Sequence, residues 1–512
     1  MSKKRFYVTT PIYYASGNLH IGHLYTTTIA WVIKNYKKLQ GYDARLLTGS
    51  DEHGQKIFQK AQENQLEPQF FVDQVANKFK NLWEIFEIDY DYFSRTTSDF
   101  HKEYVSKIFD EMLAKGFIFK DFYKGLYSVS DEEFLTPKQA IKKDDGYYHP
   151  VSGSKMEYIE EESFFFDMKK MQSWLLDFWK NHPQFISEKK IENELIKNFL
   201  EKGIENLSVT RTSLEWGIPV KSQPGHVIYV WLDALFNYIS ALKPLDKNSD
   251  FDTFWNQSEQ IVHVVGKEIT RFHCIYWPIF LQSLNLRLPS NIITHGWLIT
   301  PEGKMSKSKG NVVDPLELIK KHDVETIKLF FASQIILGQD GIFDEHNLNL
   351  FYNSTLANNF GNLISRTIAM INKNFDTPLI YNKELLDEND VYIYKQIEQT
   401  HYQFIDLFDN LEVDKALKLA ISLSKNLNSY IDIQKPWLIS QKEKLSVVLL
   451  ALLNGIYAVN TMFSVVMPKN SKKILAILKQ KSISLQQNLN FSKFDKTIFE
   501  KAEIIYPRLK LD

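Results

Sequence analysis

Cysteine is nearly missing from this chain. Cys274 is the single one among 512 residues, so no disulfide closes within the molecule, and the usage suits a reducing compartment, the cytoplasm. Cysteine-rich zinc knuckles are excluded with it. Net charge is nearly absent too: −1, from 61 basic and 62 acidic residues. The chain therefore has no global basic signature of nucleic-acid binding. One local excess exists, Pro468–Lys481, with Lys469, Lys472, Lys473, Lys479, Lys481 and no acid; taken alone it reads as a solvated helical face. Apolar stretches such as 447–456 are too short or too interrupted to span a bilayer, so no membrane association is expected. Met1-Ser2-Lys3-Lys4-Arg5 runs straight into a strand pattern, and no apolar leader is expected. Internal repeats, low-complexity tracts and long heptad runs are missing as well. What remains, 44% hydrophobic and 24% charged residues, is the composition of a folded chain with two to four structural units.

The stretch that organises the rest is Tyr14-Ala15-Ser16-Gly17-Asn18-Leu19-His20-Ile21-Gly22-His23. It follows an apolar strand pattern, Phe6-Tyr7-Val8, and precedes a helical pattern from about Leu24 to Leu39, with Gly41 placed to end the helix and Ala44–Thr48 as the next strand. A strand, a small-residue loop and a helix opening on His-x-x-His is the layout of a phosphate site, because N–H groups at a helix start attract anions. Gly22 lets a ligand approach the backbone, and His20 and His23 are placed to donate to charge on a phosphate. By itself the pair fits capping, packing or metal binding equally well. Asp51, in Gly49-Ser50-Asp51-Glu52-His53-Gly54, stands at the carboxyl end of the next strand, where open parallel sheets bind ligands. It suits an ammonium group or an N-cap.

A second stretch, Lys304-Met305-Ser306-Lys307-Ser308-Lys309-Gly310-Asn311, narrows the choice. His-Ile-Gly-His followed by Lys-Met-Ser-Lys-Ser resembles the class I aminoacyl-tRNA synthetases. The intervening stretches, such as Thr210-Arg211-Thr212-Ser213-Leu214-Glu215-Trp216-Gly217 and Trp231-Leu232-Asp233-Ala234-Leu235, resemble the bacterial-type methionyl branch along nearly the whole chain. The resemblance implies an α/β fold: a Rossmann-like parallel sheet split by a connective-peptide insertion and followed by an α-helical bundle. The expected boundaries are 1–115 and 226–296 for the two halves of the catalytic domain, 116–225 for the insertion, 297–345 for a linking unit with the lysine loop, and 346–512 for the bundle. His226–Val230 is expected to resume the sheet, as are 261–265 and 291–295. Many members of the family bind zinc in the insertion through cysteines. With none here, no structural zinc and no protein-held metal are expected.

The resemblance further implies ATP with Mg²⁺, methionine and tRNA(Met) as substrates. His20, Gly22, His23, Gly266, Glu268, Lys304 and Lys307 would serve ATP, with the two histidines and Lys304 and Lys307 as the catalytic set. Ile12, Tyr14, Trp231, Ala234, Tyr238 and His273 would surround the methionine side chain, and Asp51 its ammonium. Without the resemblance, Trp231, Tyr238 and His273 read equally as core residues in a chain with 14% aromatics. Leu235 stands where some members have proline. Asn359, Arg366, Pro436 and Trp437 match anticodon-contact positions, with Trp437 either a stacking face or a core tryptophan. A monomer is expected. The competing readings are a non-catalytic tRNA-binding paralogue, another nucleotidyltransferase with the same histidine motif, and a zinc hydrolase using His20 and His23. Intact histidines and lysines oppose the first, the long helical region the second, and the lack of a glutamate base or third ligand the third.

Overall fold

The run Arg5–Tyr14 forms strand β1, and Phe6, Tyr7 and Val8 are fully buried, as a strand covered on both faces of a parallel sheet requires. In the computed structural model the described residues are 3–135, 137, 139–150, 152–305, 312–485, 492–500 and 503–510. Two compact units divide the chain: residues 1–30 with 43–295, and residues 31–42 with 296–512. Helix α1 begins at Ile21 and runs to Leu39. It returns through Gly41, at φ 91°, to strand β2, Asp43–Asp51. Helix α2, Gln55–Glu63, follows the β2 loop, and β3 is Tyr92–Arg95.

The sheet is parallel throughout. Its order is Asn291–His295, Gln260–Gly266, β1, β2, β3. The chain thus moves outward on one side of β1, then resumes on the other, and the reversal leaves a crevice at the carboxyl ends of the central strands. Ile12 pairs with Gly49 and Tyr14 with Asp51 across β1 and β2. At the other edge Thr26 Oγ1 of α1 lies 2.8 Å from His295 Nε2, tying the helix start to the last strand.

Between β3 and the second half of the sheet lies an antiparallel four-stranded sheet in the order Glu133–Leu135, Ile118–Ser128, Glu157–Phe166, Leu207–Ser208. It shares a continuous core with the parallel sheet, in which Phe164, Phe166 and Tyr127 pack with Tyr7, Trp255 and Trp277. One expectation fails here. The stretch 226–230 does not rejoin the parallel sheet: only Val227–Ile228 is a strand, and it pairs antiparallel with Thr210–Arg211. The Ile228 and Tyr229 N–H groups donate to the Ile218 and Val209 carbonyls, so its backbone is satisfied by the end of the insertion, and the parallel sheet resumes at Gln260.

The second unit opens with a small sheet, in which Leu298–Thr300 pairs with Gly303–Lys304 and Gly341–Ile342. Its body is helical, including Asn362–Asn374, Glu388–Asp409, Val413–Gln434 and Lys442–Phe463. Lys442–Phe463 corrects the reading of 447–456 as too short. By length and composition this helix is sufficient to cross a membrane, and its most apolar window is wholly buried within the fold. A helix apolar all round belongs inside a core or a bilayer, and here protein surrounds it.

Gly49 is where the parallel sheet is tightest. A Cβ there would meet the Ser94 carbonyl of β3 and lie 2.7 Å from Ile12 Cγ2. Gly49→Ala is expected to destabilise the first unit by ~1–3 kcal/mol, as overpacking does, read as a lowered denaturation midpoint; an unchanged midpoint would show that β3 yields freely.

Candidate functional site

The loop after β1 is held by its own histidines. The His20 N–H donates to His23 Nδ1 at 3.0 Å, and the Gly22 N–H to His20 Nδ1 at 3.1 Å. Both imidazoles therefore accept through Nδ1 and carry their proton on Nε2. The rings lie 3.9 Å apart, and the His23 ring meets Tyr13 edge-on. Burial, then the neighbouring His20, keeps His23 well below the usual imidazole range. These are neutral donors at a helix start, suited to phosphate oxygens. On the other side of β1, the strand Gln260–Gly266 ends where a Cβ on Gly266 would stand 2.5 Å from Glu268 Oε1. Glycine lets that carboxylate fold back over the backbone.

Beside Tyr14, Asp51 is 9% exposed. Its Oδ1 is buried with no hydrogen-bond partner among the described residues. Burial, and then the acids Asp233, Glu132 and Glu52, push its carboxyl well above the usual range. The surrounding acids are each engaged. Glu52 takes Arg95 at 2.7 and 3.0 Å. Fully buried Asp233 lies between His53 Nδ1 and His101 Nε2, each at 2.6 Å. Against the upward push of burial these two histidines hold Asp233 below the carboxylate range. Asp51 alone in this group has a buried oxygen left over, a strong demand for a cation.

The remaining pocket positions come from three helical pieces. Trp231 and Ala234 are on Val230–Leu235, Tyr238 on Asn237–Ser240, and His273 on Phe272–Tyr276. Trp231 stacks on Phe272 with centroids 3.5 Å apart and 6° between planes. Tyr238 stacks on His263 at 4.2 Å. His273 Nδ1 faces the Ile269 carbonyl at 2.9 Å and so donates to it, leaving Nε2 to accept from the Tyr238 hydroxyl at 2.6 Å. Tyr238's only proton is thereby committed, and the wall is aromatic, with the Trp231 indole N–H its buried donor without a partner among the described residues. Such a surface suits a polarisable, unbranched side chain. Phe272, His53 and His101 were not singled out from sequence. The roles of His53 and His101 depend on Asp233, 180 and 132 residues distant, and that of Phe272 on Trp231.

In the second unit the lysine motif is only partly in view: Gly303 is left-handed at φ 103°, and Lys307 and the Lys304 side chain lie outside the described residues. Trp437 is 55% exposed, which removes the core reading. Pro436 before it is buried, and Lys435, between the preceding helix and Pro436, is left-handed at φ 44°. The Arg366 guanidinium is 6.0 Å from the Trp437 ring centre and 3.6 Å from Asp432. Asn359 departs from expectation. It is 6% exposed; its amide donates to Ser424 Oγ at 2.6 Å and its oxygen accepts from Asn428 at 2.8 Å, so helix packing consumes both groups a base would need. Asn358 and Asn362 are the exposed asparagines of this stretch, and Asn362 lies four residues before Arg366.

Burial depresses the His273 ring to about 4, against ~6.5 in an unfolded chain. The unfolded chain binds more protons across that window, so this contribution is complete above about pH 6.5 and drains as pH falls toward 4. It amounts to about 3 kcal/mol. His273→Gln is expected to flatten the acid limb of a stability–pH profile by much of that amount; a limb as steep as in the parent would refute the assignment.

Comparison with known proteins agrees with this geometry. The family model described as tRNA synthetases class I (M) matches residues 6–144 and 148–368. The methionine–tRNA ligase of Mycoplasmopsis pulmonis is 52% identical over 511 residues, covering 99% of this chain and all of that protein. The methionine–tRNA ligase of Bacillus subtilis is 40% identical over 522 residues, covering 99% of this chain and 78% of that protein. Among solved structures, Mycobacterium tuberculosis methionyl-tRNA synthetase in complex with methionyl-adenylate superposes with a TM-score of 0.92 at 31% identity, covering 99% of this chain and all of that one. With the histidine-bearing helix start, the aromatic wall and full-length similarity in agreement, the chain belongs to the class I tRNA synthetases of the methionyl family.

Proposed function

We propose that the chain joins methionine to tRNA(Met) in two steps, as an ATP-dependent methionine–tRNA ligase. In the first, the methionine carboxylate attacks the α-phosphorus of ATP, which enters with Mg²⁺ as its counterion. The bond to the β-phosphate breaks, pyrophosphate leaves and methionyl-adenylate remains. In the second, the 2′-hydroxyl of the terminal adenosine attacks the methionyl carbonyl, AMP leaves, and the ester is formed. Neither step needs a protein nucleophile. Both need alignment, and the first needs charge stabilisation at a crowded phosphate.

The observation that carries the reading is Asp51. An acid with a leftover buried oxygen, pressed by burial and three neighbouring acids, is completed by an α-ammonium group. A carboxylate substituent two bonds from that ammonium then extends toward the histidine loop, and the aromatic wall takes the side chain. His20 and His23 donate to phosphate through Nε2, Glu268 serves the ribose hydroxyls, and Lys304 and Lys307 close over the departing pyrophosphate. In the helical unit, Trp437 with Arg366 reads the anticodon by stacking and hydrogen bonding, with Asn362 in place of Asn359.

Pyrophosphate exchange with each of the twenty amino acids is expected to proceed with methionine alone. Asp51→Ala should cost ~2–5 kcal/mol in methionine kcat/KM, the loss when a buried charge loses its partner. Exchange driven equally by another amino acid, or an Asp51→Ala enzyme with parent kinetics, would defeat the reading. For the helical unit, Trp437→Ala is expected to cost ~1–3 kcal/mol in tRNA charging while activation and melting temperature stay unchanged. Equal loss in both reactions would remove Trp437 from tRNA recognition.

A further inference from the structure

The insertion contributes no residue to the pocket as sequence reasoning draws it, yet one of its side chains reaches the pocket wall. Glu132 lies in the turn between Ile118–Ser128 and Glu133–Leu135. It is 5% exposed and has φ 48°, a left-handed conformation uncommon for a non-glycine residue. The surroundings are specific. Glu132 Oε1 accepts from the Tyr14 hydroxyl at 3.1 Å and from the Lys56 N–H at 3.1 Å. Oε2 accepts from the Tyr127 hydroxyl, and the Glu132 carbonyl accepts from the Tyr229 hydroxyl at 2.5 Å.

Three of those partners belong to different parts of the pocket, and Tyr127 to the insertion's own sheet. Tyr14 ends β1. Lys56 is in the first turn of α2, directly after the loop carrying Asp51, and the residue before that helix, Gly54, has no side chain to cap it. The Glu132 carboxylate supplies the cap from another part of the chain. Lys56 Nζ returns the contact by donating to the Ser130 carbonyl at 2.9 Å. Gly54, at φ 112°, leaves the room: a Cβ there would stand 2.6 Å from the Tyr14 hydroxyl and 2.8 Å from Glu132 Oε1. Tyr229 immediately precedes the helix that carries Trp231 and Ala234.

We propose that Glu132 is a positioning residue for amino-acid activation, one carboxylate of the insertion that clamps Tyr14 and the Asp51 loop together without touching substrate. This rests on the reading that Tyr14 and Asp51 line the methionine site. The neighbouring acids divide the rest of the work. Asp131 accepts from Ser152 and Ser154 at 2.6 and 2.7 Å and so anchors the turn within the insertion. Glu133 pairs with Arg271, one residue before Phe272 and two before His273. Glu132 is also one of the charges opposing ionisation of Asp51, so an ammonium docked there is attracted by both.

Pyrophosphate exchange by the full chain, with methionine and ATP varied separately, tests this. Glu132→Ala is expected to raise the methionine KM about tenfold to a hundredfold, the scale of losing hydrogen bonds to a charged group, while the ATP KM stays within about twofold. Glu132→Gln, whose amide oxygen still accepts from Tyr14 and Lys56, should recover most of the loss. On a Tyr14→Phe background the Glu132→Ala effect should shrink, because the two share one interaction. Should the alanine variant not fold, Glu132→Asp, one methylene short, carries the same expectation of a selectively raised methionine KM. A methionine KM within about twofold of the parent, a parallel rise in both KM values, or full additivity with Tyr14→Phe would overturn the clamp. A parent enzyme without methionine-dependent exchange would instead overturn the functional reading beneath it.

Discussion

Strand β1 is hydrogen-bonded along both edges to parallel partners, β2 on one side and Gln260–Gly266 on the other. Parallel neighbours cannot be joined by a tight turn, so each must be reached by a crossover. The crossover to β2 is α1, with His20 just before it and His23 in its first turn. The return to Gln260 takes more than two hundred residues and contains the whole insertion. Everything placed at the carboxyl edge of β1 follows from that double pairing: Tyr14 opposite Asp51, the histidine loop above, and Gly266 across the crevice.

Charge gives the crevice its polarity. Four acids, Asp51, Glu52, Glu132 and Asp233, are buried around one corner of it, and a low-dielectric interior makes each costly unless compensated. Glu52 has Arg95, Asp233 has two histidines, and Glu132 has two phenols and a helix N–H. Asp51 has an oxygen to spare. The far side carries the opposite character, with neutral imidazole donors at a helix start. A substrate bearing an ammonium at one end and a carboxylate near phosphate at the other is oriented by this contrast before any shape is considered.

Much of this was legible in sequence because it is written locally. The histidine loop, Asp51 at a strand end and the glycine after α1 are each set by neighbours within a few residues. The stretch 226–230 misled because its alternation is that of a strand, while the choice of sheet was decided by carbonyls at 209 and 218. Asn359 misled because matching a motif position does not reveal which helix face is buried, and one residue earlier, at Asn358, the exposure reverses. Glu132 was invisible as anything but one acid among three consecutive ones. Its meaning lies in Tyr14 and Lys56, 118 and 76 residues away.

The helix Lys442–Phe463 has an implication for the order of events during synthesis. Most of its packing partners, the helices Asn362–Asn374, Glu388–Asp409 and Val413–Gln434, precede it in the chain and leave the ribosome earlier. An apolar rod that a membrane-insertion machinery would accept by length therefore emerges when a surface to receive it has already been made, at a synthesis rate of ~5–20 residues per second. The same rod ahead of its partners would be exposed for seconds as a target for aggregation or misdirected insertion. Circular permutation that moved 442–463 to the front would keep every native contact while inverting this protection.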